Sequence, residues 1–221
     1  HRFFYVLMRT GRSGTDHLVE AMNAGVDDYI EKPFRPEELQ VRIRAGRRFV
    51  DLERRLRHLA QKDTLTGIWN RATVLRLLEV ERGRARRHGS GLSLMMLDID
   101  RFKRINDEYG HQVGDRALAH VAQVAHQVIR PYDLLGRYGG EEFLGVFPDT
   151  DIETVTLVAE RVRRAIEEKP LAISGGTLDV TVSIGVAEVP HHDEHGKEAI
   201  HAADRALYRA KSQGRNRVER G

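Results

Sequence analysis

Apolar and polar positions follow two periods along this chain, and residues 1 to 60 read as strand, helix, strand, helix. Phe3 to Met8 is a compact, aromatic-rich apolar run and predicts a buried strand. Thr10, Gly11, Ser13 and Gly14 predict a loop. Leu18, Val19, Ala21 and Met22 recur at helical spacing, and Gly25 supplies the stop. Tyr29 and Ile30 make a short strand that Lys32-Pro33 ends. Pro36 suits the first turn of a helix, with Glu37 and Glu38 near its positive end. That helix is long. Leu39, Ile43, Val50, Leu52, Leu56 and Leu59 mark one apolar stripe, close to a heptad seam from Leu52, while seven arginines between Arg42 and Arg57 cover the other faces. The pattern reads first as a solvated surface, and a short two-stranded coiled coil is compatible with it. It breaks over Lys62 to Asn70, which places a domain boundary near residue 61 and divides the chain into 1–61 and 62–221.

Beyond the boundary, residues 72 to 88 predict an amphipathic helix through Val74, Leu75 and Leu78. Leu92 to Leu97 predicts a buried strand that runs into Asp98-Ile99-Asp100. Ala117 to Ile129 is a strongly apolar helix. Leu134 to Phe147 carries Gly139-Gly140 between two short strand patterns, a hairpin signal. Val155 to Ile166 is helical, Val180 to Val186 alternates as a strand, Ile200 to Lys211 is helical, and Arg217-Val218 begins a short last strand. Strands and helices in this order predict an α/β (α+β) fold, with helices packed on a central, mainly antiparallel sheet.

Composition narrows the classes. With 40% hydrophobic and 31% charged residues the chain has material for a core. No apolar run approaches the ~20 residues that a membrane-spanning helix needs. The absence of cysteine excludes disulfide scaffolds, thiolate zinc sites and cysteine nucleophiles, and fits a reducing cytoplasm. A net charge of +3, from 36 basic and 33 acidic residues, permits an anionic small-molecule substrate without demanding a nucleic acid. The chain begins at His1 with no charged-then-apolar leader, which reads as a fragment or a trimmed record.

Two acidic pairs carry the candidate chemistry. Asp98 and Asp100 follow a buried strand directly, where carboxylates are expensive to bury without cations or donors. Strand alternation is read here as sending these two to opposite faces. Glu141 and Glu142 sit at or just beyond the tip of the glycine hairpin. If the two strands are neighbours, one carboxylate from each converges into an all-oxygen site suited to Mg²⁺ and a phosphate-bearing substrate. Phe102-Lys103 opens a helix whose free N–H groups face that site. Lys211 and Arg215 lie four apart beside Gly214, within reach of a triphosphate tail.

The segment from Asp63 to the C terminus resembles a GGDEF domain, the catalytic domain of diguanylate cyclases, over roughly 160 of 221 residues. The matches are ordered: Asp63-Thr64-Leu65-Thr66-Gly67-Ile68-Trp69-Asn70-Arg71, then Asp98-Ile99-Asp100-Arg101-Phe102-Lys103, Asn106-Asp107, Gly110-His111, Gly114-Asp115, Gly139-Gly140-Glu141-Glu142-Phe143, and Lys211 to Asn216. The signature reads GGEEF, an active variant of the family pattern.

The resemblance implies that Asp98 and Glu141 bind two Mg²⁺ (or Mn²⁺) ions with the Ile99 carbonyl assisting, and that Glu141 is the candidate base. It implies that Asn106 and Asp115 read guanine, that Phe102 and Lys103 hold phosphates through backbone amides, and that Lys211 and Arg215 grip the triphosphate. Glu142 belongs to the site with a less defined role. The implied reaction joins two GTP into cyclic di-GMP across a homodimer. Arg130-Pro131-Tyr132-Asp133 resembles the family's inhibitory RxxD motif, where product would bind, with Arg161 assisting. The N-terminal segment resembles the last part of a response-regulator receiver, with Thr10 as switch residue and Lys32-Pro33 as the Lys-Pro pair, its Pro usually cis. The phosphoacceptor half is missing from this sequence. That points to truncation of a longer protein or to a partner covering the gap, and in a full receiver to an upstream histidine kinase. Three rivals remain: a catalytically silent cyclic di-GMP sensor, a DNA-binding regulator using the arginine-rich helix, and a cyclase accepting ATP.

Overall fold

The computed structural model describes residues 4–11, 15–193 and 195–221, with side chains except those of 15, 16, 18 and 54–60. The chain forms two compact units, His1–Ala60 and Gln61–Gly221.

In the first unit β1 (Leu7–Thr10) pairs in parallel with β2 (Asp28–Glu31), joined by α1 (Thr15–Asn23) and followed by α2 (Pro36–Gln61). The first strand starts later than its apolar run predicts, because Val6 spends its main chain on the turn before β2. Its N–H donates to Asp27 Oδ2 at 2.7 Å, and its carbonyl accepts from the N–H of Asp27 and of Asp28. Thr10, expected in a loop, closes the strand, and its carbonyl accepts from Lys32 N. Phe3, Ser13 and Gly14 lie outside the described residues. The Lys32–Pro33 bond is cis, as the receiver resemblance implies. Arg42 ties α2 to β2 through Asp28 Oδ1 at 2.6 Å. Gly46 admits the Tyr5 ring onto α2, since a Cβ there would come within 2.5 Å of it. Ile30 is the one buried apolar side chain of this unit among the described residues, while Val41, Ile43, Phe49 and Leu52 stay about half exposed. The stripe of α2 therefore faces solvent at Ile43 and Leu52; the side chains of Leu56 and Leu59 lie outside the description.

The second unit runs α3 (Arg71–His88), β3 (Leu92–Ile99), α4 (Phe102–Tyr109), α5 (His111–Val128), β4 (Leu134–Arg137), β5 (Glu142–Pro148), α6 (Ile152–Glu167), β6 (Leu171–Ile173), β7 (Gly176–Leu178), β8 (Val182–Glu188), α7 (Lys197–Ser212) and β9 (Val218–Arg220). One sheet has the order β4-β5-β3-β8-β9, antiparallel except between β8 and β9. β3 is buried on both faces, which explains its unbroken apolar run. Met95, Leu97 and Ile99 join the core under α5 and α6, with Ala117, Val121, Val158 and Val162. Leu94 and Met96 join the opposite core, with Val74, Leu78, Ala203 and Leu207 of α3 and α7. The Gly185 backbone lies hard against α7, where a Cβ would overlap the Ala203 carbonyl.

Asn70 caps α3 by accepting from Thr73 N at 3.0 Å, and Asp151 caps α6 through Thr154 N. Just before α3, Trp69 runs along β4: its N–H donates to the Leu135 carbonyl, and its own carbonyl accepts from Arg137 N at 2.8 Å. The short β6–β7 hairpin turns at Ser174-Gly175-Gly176, a turn signal to which the sequence reading gave no element. No helix among the described residues is long and apolar enough to cross a membrane.

Candidate active site

Pairing of β3 with β5 sets Asp98 directly opposite Glu142, and Ile99 N donates to the Glu141 carbonyl at 3.4 Å. The strands are thus neighbours, and the two acidic pairs meet. The hairpin between β4 and β5 is closed by Tyr138 N and Gly139 N, which donate to the Glu142 carbonyl at 2.8 and 3.2 Å. Arg137 grips its tip, with Nε and Nη2 donating to the Gly140 carbonyl at 3.0 and 2.8 Å. The same guanidinium meets Asp63 at 3.3 Å, and Asp63 also accepts from the N–H and hydroxyl of Thr66. The opening motif of this unit therefore holds the glycine hairpin by way of Arg137.

Asp98 is 5% exposed, and Lys211 Nζ sits 2.8 Å from its Oδ2. Burial raises the Asp98 carboxyl, Lys211 lowers it by hydrogen bond and charge, and Glu141 and Glu142 raise it again, to about 6. Three acids thus share one neighbourhood, and a cation already sits on one of them. The donors on offer, Asp98, Glu141 and the Ile99 carbonyl, are all oxygen. Among the described residues no group of three or more His, Asp or Glu side chains stands ready as a metal cage. The set fits a hard divalent ion that takes its remaining ligands from water and phosphate.

Asp100 departs from the expectation of opposite faces. Side chains two residues apart in a strand share a face, and both carboxylates meet the chain in or just after α7. Their partners differ: Asp98 takes Lys211, whereas Asp100 accepts from Thr181 Oγ1, Ser183 Oγ and Asn216 N at 2.8, 2.6 and 3.0 Å.

Arg101, in left-handed backbone at φ 54°, turns the chain into α4, so that Phe102 and Lys103 occupy its first turn. Asn106 packs against Gly114 of α5, where a Cβ would overlap its Oδ1, and Gly114 directly precedes the exposed Asp115. Lys211 and Arg215 do not share a helical face. α7 ends at Ser212, and Arg215 stands beyond it at φ 66° with its N–H on the Ala210 carbonyl. Its side chain lines a cavity of about 530 Å³ with Arg101, Arg104, Tyr109 and Asp179, while Lys211 turns to Asp98.

The profile of the family described as "Diguanylate cyclase, GGDEF domain" matches residues 60–217. The chain belongs to the GGDEF family. Among curated relatives, the response regulator PleD of Caulobacter vibrioides is 37% identical over 210 residues, covering 91% of this chain and 46% of PleD. Diguanylate cyclase DgcP of Pseudomonas aeruginosa is 42% identical over 163 residues, covering 74% of this chain and 24% of DgcP. The chain thus spans less than half of either relative. Among solved structures, the coiled coil and GGDEF domain of DgcB from Caulobacter crescentus, in complex with c-di-GMP, superposes with a TM-score of 0.77 at 33% identity, covering 84% of this chain and 98% of that one. The active GGEEF domain of a diguanylate cyclase from Vibrio cholerae gives 0.64 at 35% identity, covering 68% and 96%.

The GGDEF unit also brings the RxxD residues together. Arg130 N donates to Asp133 Oδ2 at 2.9 Å, Asp133 N returns a bond to the Arg130 carbonyl, and Arg161 Nη2 donates to the Val128 carbonyl. Asp133 is buried, and its Oδ1 has no hydrogen-bond partner. Burial raises its carboxyl, while the Arg130 N–H and the Arg130 and Arg161 charges lower it. Sequence reasoning left Asp100, Arg137, Arg163 and Asn216 without roles. The first, second and fourth lie in or beside motifs of the GGDEF pattern, which was the available signal; Arg163 had none.

Proposed function

We propose that this protein is a diguanylate cyclase that condenses two GTP into cyclic di-GMP and two pyrophosphates. The observation that carries this reading is the β3–β5 register, which joins Asp98 to the Glu141-Glu142 hairpin beside Lys211. Asn106 and Asp115 bind the guanine: a carboxylate accepts from both N1–H and the exocyclic amine, and adenine presents neither donor pair there. The first-turn N–H groups of Phe102 and Lys103 receive phosphate oxygens. Lys211 and Arg215 hold the triphosphate, with Arg215 turning in from its cavity. Glu141 takes the proton of the 3′-hydroxyl as that oxygen bonds to the α-phosphorus of a second GTP, and the bond to the β-phosphate oxygen breaks. Bound at Asp98, Glu141 and the Ile99 carbonyl, Mg²⁺ or Mn²⁺ supplies charge neutralisation at the phosphates. Glu142, paired across from Asp98, adds negative charge that favours the cations.

One such site holds one GTP, so turnover needs two copies face to face, a homodimer. Arg130, Asp133 and Arg161 form the inhibitory site for cyclic di-GMP, reached when the buried Asp133 gives up its turn contact. The first unit is the C-terminal part of a receiver, answering to a histidine kinase in the full protein. Its parallel βαβ and the Lys32-Pro33 pair directly after β2 support this.

The test is product analysis after incubation with GTP and Mg²⁺ across protein concentrations. Cyclic di-GMP that rises per chain with concentration and vanishes in Glu141→Gln is the expected result. Binding of cyclic di-GMP without turnover would favour a silent sensor instead. Arg130→Ala should relieve micromolar product inhibition while turnover persists.

A further inference from the structure

Asp100 belongs to no step of the mechanism above, yet it is 8% exposed and holds three hydrogen bonds. Two come from β8 or its approach, from the hydroxyls of Thr181 and Ser183. The third comes from the main-chain N–H of Asn216, 116 residues away. A buried carboxylate is stable only when its lone pairs are taken, so these donors define where Asp100 points and what it holds.

Asn216 is the second half of the device. It stands in left-handed backbone at φ 46°, directly after Arg215 in the same conformation. Its carboxamide is used at both ends: Oδ1 accepts from Arg163 Nη1 at 2.8 Å, and Nδ2 donates to Glu167 Oε1 at 2.7 Å. Arg163 is 9% exposed and also paired with Glu160 and Glu167 on α6. The loop that follows α7 is thus pinned on one side to Asp100, just past β3, and on the other to α6. Strained left-handed residues persist only where surroundings over-determine them, and here the pinning includes the residue next to Arg215.

We infer that Asp100 and Asn216 are positioning residues that set the loop between Lys211 and Arg215 for the triphosphate of the substrate. The inference rests on the proposed substrate reading, because it assigns Arg215 and Lys211 to that triphosphate. Asp100 and Asn216 line the same cavity as Arg215, and each acts on Arg215 through the main chain of Asn216, the next residue. The guanine residues Asn106 and Asp115 lie on α4 and α5 and are outside this pinning. Releasing the loop should therefore weaken the hold on the triphosphate and leave the hold on the base.

The experiment compares 3′-deoxyguanosine triphosphate, which lacks the attacking hydroxyl, with the corresponding monophosphate. Dissociation constants are measured by calorimetry with Mg²⁺ on the full chain and on Asp100→Ala, Asn216→Gly and Arg215→Ala. Asn216→Gly removes the α6 tie without backbone strain and keeps the N–H to Asp100, so it serves where Asp100→Ala fails to fold. The parent should prefer the triphosphate. In Asn216→Gly and Asp100→Ala that preference should shrink about tenfold, the size of a lost charge-assisted contact, with monophosphate affinity unchanged. Equal weakening of both nucleotides in an Asn216→Gly variant whose melting curve matches the parent's would overturn the positioning role. If Arg215→Ala collapses the preference while the other two variants keep it, the inference is overturned and the substrate reading stands. If Arg215→Ala also leaves the preference intact, the substrate reading fails and takes the inference with it.

Discussion

Replacing Arg137 by Met removes the guanidinium and keeps most of the side-chain length. Two of its donors share the Gly140 carbonyl, so they count as one strong bond, worth ~1.5–3 kcal/mol for a charged donor. The pair with Asp63, both side chains about a fifth exposed, adds less than ~1 kcal/mol. The net loss is about 1.5–4 kcal/mol, which lowers the Tm of a domain this size by about 3–16 °C. The loss is local as well as global: the amides of Tyr138 and Gly139, bonded to the Glu142 carbonyl, should exchange with deuterium faster while β3 amides follow only the global change. Asp63 supplies a pH signature. Burial raises its carboxyl, but Thr66 and Arg137 outweigh this and hold it below its ordinary 3.8. Such a group stabilises the fold above its unfolded pKa, and the contribution disappears as pH falls through the folded value. The variant should show a shallower acid-side loss than the parent. Unchanged Tm together with unchanged exchange at Tyr138 and Gly139 would refute the claim that Arg137 holds the hairpin.

Three further outcomes follow from the same geometry. Gly114→Ala should push the Asn106 carboxamide aside and raise the KM for GTP, read by initial rates, while thermal stability changes little. Gly185→Ala should destabilise by about 3 kcal/mol, because its Cβ meets the α7 backbone instead of a movable side chain, and a denaturant midpoint measures it. Asp98, raised to about 6 from its ordinary 3.8, costs stability when ionised. Without divalent cations, Asp98→Asn should therefore be more stable than the parent at pH 8, and the Tm gap should narrow as pH falls from about 6 towards 4.

Local signals in the chain were strong where one segment decides the outcome. The continuous run Leu92 to Leu97 announced a strand buried on both faces, and Gly139-Gly140 announced the hairpin that brings Glu141 and Glu142 to Asp98. The last helix was expected to end at Lys211, and α7 ends one residue later, so Arg215 reaches its cavity from the following loop. The misreading lay in strand parity. Asp98 and Asp100 share a face by the period of a strand, and only the tertiary partners Lys211 and Ser183 separate their roles. The bonds of Asp63 with Arg137 and of Asp100 with Asn216 join residues 74 and 116 positions apart. No periodicity carries such distances, so motifs containing those residues could be noticed without being understood.

The Trp69 segment has a consequence for how copies of this chain meet. β4 is the outermost strand on its side of the sheet, and an outermost strand invites a foreign strand to extend the ladder. Here the main chain of Trp69 occupies the Leu135 carbonyl and the Arg137 amide that such an intruder would need. This border of the sheet is therefore covered around Gly136 by the protein's own chain, which disfavours fibre-like growth along β4.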